Sequence, residues 1–400
     1  MRTTAQERPM TNRRSWLPWT GLAALAALAA WLLREAPPGA REASAARASR
    51  PGRAVEEPQP LPHISPALFA ALSLSAQETV EEQLPQPGCW HGVLALDRSG
   101  SLAELREALR AALASGDTFL LAYVKDRMVE VVGDDASKAL ELLGWAKASS
   151  NPELMLYMEV LKDTSAVHKP EVADRLLDLA TSGESPDLRS AALCGLETQR
   201  ELDAEGLGAL KGIALNDPSA PTAWVATRTL GQVMKENMAR GGDPAPYWRE
   251  LLDIGRSGPD EAVRALALEM PSYSELLLDS DSVTSVGALL RNDPDPLVRE
   301  MAAHRLSVSG DPERALAALR AAFAGEPTLC VRWAIFRFSV RAAGAEALPA
   351  LAEFARVDPR FVPEYQDFQR LYASGIADFS RIWLEKPERI QCGPEGGEGA

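Results

Sequence analysis

The chain has 400 residues, of which 46% are hydrophobic and 6% aromatic, and its formal net charge is −14. Abundant Ala and Leu with few aromatic residues favour closely packed helices over a sheet. Residues 1–62 contain nine Arg and five Glu, so the acidic charge is concentrated in the rest of the chain. An acidic body repels phosphate backbones, and the sequence has no basic stripe that would overcome this repulsion. We therefore expect no nucleic-acid partner.

An uncharged apolar run, Trp16–Leu33, follows a short N-terminal tail at residues 1–15. At 1.5 Å per residue the run spans about 27 Å, close to the thickness of a bilayer core. Tryptophans lie at both of its ends, where the headgroup region favours them. The preferred prediction is an uncleaved, single-pass transmembrane anchor. Cleavage of a signal peptide after Ala29 or Ala45 and a soluble core helix remain as alternatives.

The arginines on the two sides of this run nearly balance, so they determine its orientation only weakly. An apolar run near the N-terminus usually keeps its tail inside, which favours a periplasmic or other extracytoplasmic body. A cytoplasmic body remains an alternative. Residues 34–62 are rich in Ala, Pro and Arg, and we predict a disordered linker. Residues 391–400 are predicted to be a flexible Gly/Glu tail.

The four cysteines are far apart and form no CxxC motif. Cys194 and Cys330 lie in apolar helical runs and are predicted to be small core residues. Cys89 and Cys392 lie near the two ends of the predicted body. A disulfide between them is possible in an oxidising compartment, but spacing alone does not establish connectivity.

Residues 293–323 show the clearest helical pattern in the chain. We predict that Asp293 caps a helix with Pro296 in its first turn. Leu297, Met301 and Leu306 would lie on the buried face of this helix. Gly310 is predicted to end it, and Asp311 to cap the next helix.

The same opening recurs along the chain as an X-Pro step at a predicted helix start. The steps are Asn151-Pro152, Ser185-Pro186, Asp217-Pro218, Gly258-Pro259, Asp293-Pro294, Glu326-Pro327 and Asp358-Pro359. Their spacing is close to 34 residues, with two helices per unit. This period predicts an all-α fold, an α-α superhelix of about eight helical pairs over residues 63–390.

Four of these units carry a Val-Arg or Leu-Arg step followed by small apolar residues. With the Asp/Pro opening, this pattern resembles HEAT repeats in the short bacterial form also found in phycobilisome-lyase-like proteins. The similarity is clear over residues 185–358 and looser over 101–184. The resemblance implies a solenoid in which these arginines form a structural polar ladder between repeats. They are Arg189, Arg264, Arg299 and Arg332.

The sequence contains no nucleotide-binding, nucleophile-elbow or zinc-protease motif, and none of the four His is followed by Glu. We therefore predict no catalytic residue, no cofactor and no metal site. His304 is predicted to be a surface or groove residue, because no partner ligand is evident beside it.

The predicted function is a non-catalytic, membrane-anchored scaffold that binds a protein partner in a concave groove. The segments predicted to line the groove are 202–215, 244–256, 312–323 and 345–356. One alternative is a lyase-like protein that handles a chromophore or another small molecule, with Cys194 or Cys330 as its reactive thiol. A second alternative is a purely structural component of the cell envelope.

Overall fold

The computed structural model describes residues 96–98, 100–272, 274, 276–387 and 390. The predicted anchor Trp16–Leu33, the linker 34–62, Cys89, Cys392 and the tail 391–400 lie outside the described residues. Within the described part the chain is helical and contains no strand. No helix in that part is both long enough and apolar enough to cross a bilayer.

The described residues form seventeen α-helices joined by short turns. They are α1 (Leu102–Ser115), α2 (Thr118–Val132), α3 (Ala136–Gly144), α4 (Asn151–Lys162), α5 (Pro170–Ser182), α6 (Pro186–Leu196), α7 (Ala204–Asn216), α8 (Ala220–Ala239), α9 (Ala245–Ser257), α10 (Glu261–Glu269), α11 (Ser280–Asn292), α12 (Pro296–Ser307), α13 (Pro312–Phe323), α14 (Leu329–Ala343), α15 (Leu348–Val357), α16 (Val362–Ala373) and α17 (Phe379–Leu384).

Capping side chains and glycines set several helix boundaries where the sequence predicts them. The Ser101 hydroxyl accepts a hydrogen bond from the Glu104 amide at 3.4 Å, and Gly116 ends α1 with a φ of 70°. Asp311 accepts from the Arg314 amide at 3.0 Å and caps α13. Gly310, which was predicted to end α12, instead lies in the turn after it, because that helix ends at Ser307 with Val308 as its C-cap. Its φ of 74° is a left-handed conformation that glycine adopts without steric cost.

Two further details of the predicted 293–323 pair are wrong. The N-cap of α12 is Asp295, which accepts from the Leu297 amide at 2.8 Å, whereas Asp293 is the C-cap of α11. Leu297 is 44% exposed, and the core-facing positions are Val298, Ala302 and Leu306. Val298, Ala302 and Leu306 are spaced four residues apart and so share one face, whereas Leu297 lies about 100° away from Val298 around the helix.

Alternate helices pack side by side in two layers, as in a helical solenoid. Layer A consists of α2, α4, α6, α8, α10, α12 and α14, and layer B of α3, α5, α7, α9, α11, α13 and α15. Towards the C-terminal end, layer A helices pack more closely on one another than layer B helices do. Helix α17 packs against α14 and extends layer A. The core lies between the layers, where small side chains such as Ala226, Ala267 and Ala303 allow close approach.

Candidate functional site

The four predicted ladder arginines all lie in layer A and are all ion-paired. Each contacts the acidic residue that opens the following repeat. The pairs are Arg189–Asp217, Arg264–Asp293, Arg299–Glu326 and Arg332–Asp358. In the third pair, both guanidinium nitrogens reach the carboxylate, at 2.8 and 2.9 Å, and the two side chains are 9% and 3% exposed. The first three pairs are bidentate, whereas Arg332 reaches Asp358 through one nitrogen, so the ladder joins successive repeats through largely buried, charge-assisted contacts.

At two repeats the ladder pair is missing: glycine replaces the acidic residue, and the matching position on the preceding repeat carries no arginine. Residues Gly183, Asp217, Gly258 and Asp293 have nearly identical backbone angles, with φ between −65° and −58° and ψ between 130° and 133°. They therefore occupy equivalent positions in their repeats. Gly183, and not Ser185, is thus the residue that corresponds to Asp217, and the Ser185-Pro186 step lies two residues later than the other openings. Gly258 stands where the acid would be, and the residue that would carry its arginine is Ala223.

This gap allows the ladder to be tested by adding a pair. We expect Ala223→Arg alone to destabilise the protein, because it buries an unpaired charge. Gly258→Asp brings a Cβ within 2.9 Å of the Ile254 carbonyl oxygen and has a cost of its own, which a double-mutant cycle subtracts. We expect a favourable coupling of about 1–3 kcal/mol between the two substitutions, measured by urea unfolding. The native Arg189–Asp217 pair, removed in a parallel cycle, serves as the reference. Additive effects of the two new substitutions would contradict the equivalence.

Asp358, the last acid of the ladder, is also contacted by Arg360. The Arg360 side chain donates at 2.9 and 2.7 Å, and Arg332 donates at 3.1 Å. These hydrogen bonds, those of Arg360 first, lower the pKa of Asp358 from 3.8 to about 2. Because the folded-state pKa is depressed, the resulting stability is fully present above pH 4 and is lost as the pH falls towards 2.

We expect Asp358→Asn to lower the free energy of unfolding at pH 5 by about 2 kcal/mol. The difference from the wild type should shrink as the pH falls towards 2, because Asp358 of the folded wild type is about half protonated there. Urea midpoints measured between pH 5 and 2 test this. Asp378→Asn, at a side chain that is 65% exposed, is the control and should have little effect. A gap that stays constant with pH would contradict the assignment.

The ladder register also places one polar side chain on every layer A helix from α6 to α14. These side chains lie five residues after the ladder arginine of each helix, or after Ala223 on α8. They are Cys194, Arg228, Glu269, His304 and Arg337. We call this set the inner stripe. Further ion pairs connect the first layer A helices, with Lys125 contacting Glu159 at 3.1 Å and Lys162 contacting Glu197 at 2.8 Å. Polar groups therefore run along one face of the layer.

At the C-terminal end of the stripe the helices enclose a cavity of about 680 Å³. This volume lies in the range of small-molecule and side-chain binding pockets. The lining comes from α10, α12, α14 and α17 and combines charged with aromatic and aliphatic side chains. The lining residues are Glu269, Glu300, Met301, His304, Cys330, Trp333, Ala334, Arg337, Phe338, Arg341, Arg381, Leu384 and Glu385.

The cavity changes the interpretation of three predicted residues. His304 is only 3% exposed, so it is a groove residue and not a surface residue. Cys330 is half-buried and lines the cavity, and Cys194 is half-buried on the inner stripe, so neither thiol is a core residue. None of the lining side chains comes from segments 202–215, 244–256, 312–323 or 345–356, which contain layer B helices.

Burial perturbs the pKa of three groups in the cavity wall, and neighbouring arginines add to the effect on two of them. Burial, followed by the charges of Arg305 and Arg341, lowers the pKa of His304 to about 4, so its imidazole is neutral at pH 7. Burial and then Arg341 lower the pKa of the Arg337 guanidinium. Burial raises the pKa of Glu300. Perturbed groups gathered in one cavity are typical of functional sites.

Arg305, beside His304, is fully buried behind the cavity and was not identified from the sequence. Its guanidinium donates to the carbonyls of Leu268 at 2.7 Å and Ser274 at 3.3 Å, and to those of Glu269 and Pro271. The segment after α10 is thereby held against α12. Only its position next to Leu306, on the predicted buried face of the helix, could have indicated this role.

An aromatic cluster supports the opposite wall. Trp333 packs on Phe336 and Trp383, with ring centroids 5.9 and 6.0 Å apart. Phe336 also stacks on Phe361 at 5.4 Å. These contacts hold α17 against α14 and thus position the lining residues of both helices.

Within the described residues, no cluster of His, Cys, Asp and Glu has the arrangement of a metal site. No curated protein matches the chain. A family model described as HEAT repeats matches residues 248–337, which span α10, α12 and most of α14 and so include most of the cavity wall. The match, the two-layer packing and the ladder agree with one another and support a HEAT-repeat protein.

Proposed function

We propose that this chain is a non-catalytic scaffold, tethered to a membrane by Trp16–Leu33, that binds a protein partner along the exposed face of layer A. The proposal rests on the inner stripe, which ends in a cavity of about 680 Å³. HEAT repeats generally serve as protein-interaction scaffolds. The closer packing of layer A towards this end supports placing it on the concave side, because the inner layer of a curved stack is the more crowded one.

The exposed face of layer A also carries a large apolar anchor outside the cavity. Trp224 is 37% exposed on α8, and the Arg228 guanidinium lies 5.9 Å from its ring centroid. Tryptophan and arginine are the residues most enriched in the energetic centres of protein interfaces. This pair would contribute a second contact point, one repeat or more from the cavity.

Proximity labelling from the full-length anchored protein, followed by co-purification of the enriched partners, tests the proposal. We expect Trp224→Ala to reduce partner recovery strongly, while Tyr372→Ala, at an exposed side chain of α16, leaves it unchanged. A topology reporter fused after Ala400 tests the extracytoplasmic placement of the repeats. Equal recovery with both variants, or no specific partner, would contradict the proposal.

A second candidate is a protein that handles a small molecule, which the position of Cys330 on the cavity wall favours. A thiol in a cavity of this size is accessible to a bound ligand. In a chain that also carries Cys89→Ser and Cys392→Ser, Cys330→Ala would then abolish covalent loading of a reactive bilin or maleimide probe, while Cys194→Ala would not. If both variants react like the wild type, this candidate fails.

A further inference from the structure

One carboxylate of the cavity wall has no partner within the part of the chain that the structure describes. Glu300 of α12 is half-buried and lines the cavity, but no hydrogen bond or ion pair involves it there. Burial is the only cause that raises its pKa, and the charges of Glu269, Arg337 and Arg341 do not contribute. A desolvated carboxylate without a counter-charge destabilises a fold. Glu300 therefore has a reason to be there other than folding.

The other charged side chains of the wall make contacts of their own. Arg381 of α17 donates to Glu385 at 2.9 Å. Arg337 of α14 donates to the Leu384 carbonyl at 3.0 Å. Arg341, one turn further along α14, lies close enough to Arg337 to lower its pKa. The unpaired carboxylate of Glu300 is thus separate from the arginines of the same cavity.

Glu300 belongs to a row of side chains that crosses layer A. It follows the ladder arginine of α12, and the equivalent residues are Trp224 on α8, Ala265 on α10 and Trp333 on α14. The row therefore runs from the exposed ring of Trp224 to the cavity wall, where Glu300 and Trp333 both lie. A bound segment that follows this row contacts Trp224 and reaches the unpaired carboxylate.

Apolar side chains share the cavity with Glu300. Met301, Trp333, Phe338 and Leu384 all line it. Trp333 is only 6% exposed, and its indole N–H has no hydrogen-bond partner among the described residues. A Lys or Arg side chain has an apolar stem and a charged head, which match an apolar wall with one carboxylate. A carbonyl of the bound backbone would accept from the indole N–H.

The charge of the repeats also favours a basic partner. The net charge of −14 is concentrated after residue 62, so the body that carries the cavity is acidic as a whole. Opposite charge on a partner accelerates association and disfavours partners of like charge.

We infer that the cavity is the anchor pocket for a basic side chain of the protein partner. The charged head of a Lys or Arg pairs with Glu300, and its stem packs on Met301 and Trp333. This inference rests on the proposed scaffold function and names the chemistry of the partner at one site. The pair forms short, charge-assisted hydrogen bonds, and one side chain anchored in such a pocket contributes much of the binding energy of an interface.

Urea unfolding of Glu300→Gln tests whether the carboxylate has a structural partner. Because folding raises the pKa of Glu300, its charged form destabilises the native state at neutral pH. We expect a higher urea midpoint than that of the wild type at pH 7. The two midpoints should converge below about pH 3.5, where the carboxyl is protonated in both states. A lower midpoint at pH 7 would show that Glu300 is a structural residue and would overturn the inference.

Selection of random peptides displayed on phage tests the binding itself. The library is depleted on Glu300→Gln and then selected on the full-length wild type in mild detergent, and we expect enriched peptides with Lys or Arg beside an apolar residue. A synthetic consensus peptide should bind roughly tenfold more weakly to Glu300→Gln. Norleucine at its basic position keeps the stem, removes the charge and should weaken binding similarly. Fluorescence anisotropy measures each Kd.

The matched control is Glu313→Gln, which removes the same charge from an exposed position on α13 of layer B and should leave the affinity unchanged. A charge swap adds a rescue, because Glu300→Lys should bind the peptide whose basic residue is changed to Glu better than the original one. Acidic consensus peptides, failure to enrich any peptide, or equal affinity for Glu300→Gln and the wild type would overturn the inference. If partner recovery still depends on Trp224 in that case, the scaffold function stands and only the anchor pocket is wrong.

Discussion

Replacing Arg305 by Met should lower the free energy of unfolding by about 3–5 kcal/mol, one of the two largest effects that we foresee. The side chain is fully buried and donates to four backbone carbonyls of the segment at the end of α10. Met fills a similar volume but donates nothing, and each buried carbonyl left without a partner costs about 1–3 kcal/mol. Urea unfolding followed by circular dichroism measures the loss.

Hydrogen exchange can show whether Arg305 stabilises the segment after α10 locally or the whole protein in general. The amides of Leu276 and Leu278 donate to the carbonyls of Val308 and Ser309 at 3.1 and 2.9 Å. In Arg305→Met these two amides should exchange their hydrogens much faster, while amides of α6 keep their protection. Arg314→Met is the control, because that side chain is 57% exposed and its pair with Asp311 is worth at most about 1 kcal/mol. Uniform loss of protection over all helices would contradict the local role.

Replacing Arg299 by Met should cost about 3–5 kcal/mol, because the buried carboxylate of Glu326 loses its counter-charge. The double substitution Arg299→Met with Glu326→Leu removes both charges, and we expect it to be clearly more stable than the single variant. The matched control is Arg320→Met on α13, whose side chain is 56% exposed and pairs with Glu353. That variant should change stability by no more than about 1 kcal/mol.

A further effect of Arg299→Met follows from the solenoid architecture. Each repeat contacts only its neighbours. Weakening the contact between two successive repeats therefore reduces the cooperativity of unfolding between the repeats before it and the repeats after it. We expect the urea transition of Arg299→Met to broaden or to divide into two steps, and the double variant to restore part of its steepness. If the single and double variants are equally unstable, the buried unpaired Glu326 is not the cause.

Helices and their order were predictable from the sequence because their signals are local. Proline in a first turn, an Asp or Ser cap and a terminal glycine act within one or two turns of the chain. They located α1 and α13 directly, and their recurrence indicated a solenoid. They misplaced the cap of α12 by two residues, because Asp293 and Asp295 are equally good capping residues in the sequence. The structure distinguishes them: the Asp293 side chain pairs with Arg264, and the Asp295 side chain caps the helix.

The four ladder arginines were identified through resemblance to HEAT repeats, but their partners were not. The acids that they contact lie 26 to 29 residues further along the chain. This separation is one repeat, so a pairing across it depends on how closely two repeats stack. The two empty positions, where Gly183 and Gly258 replace the acid, become visible only once backbone angles show which residues are equivalent.

The sequence by itself determined the all-helical repeat architecture, because spacing and caps encode it, and its resemblance to HEAT repeats pointed to the arginines of the ladder. Only the tertiary structure decided which layer carries the cavity, why His304 is buried, and that Arg305 holds a segment of backbone. These properties depend on residues of four helices, from α10 to α17, meeting at one place. Periodicity distinguishes the buried face of a helix from its exposed face, but it does not reveal which neighbouring helices enclose a space.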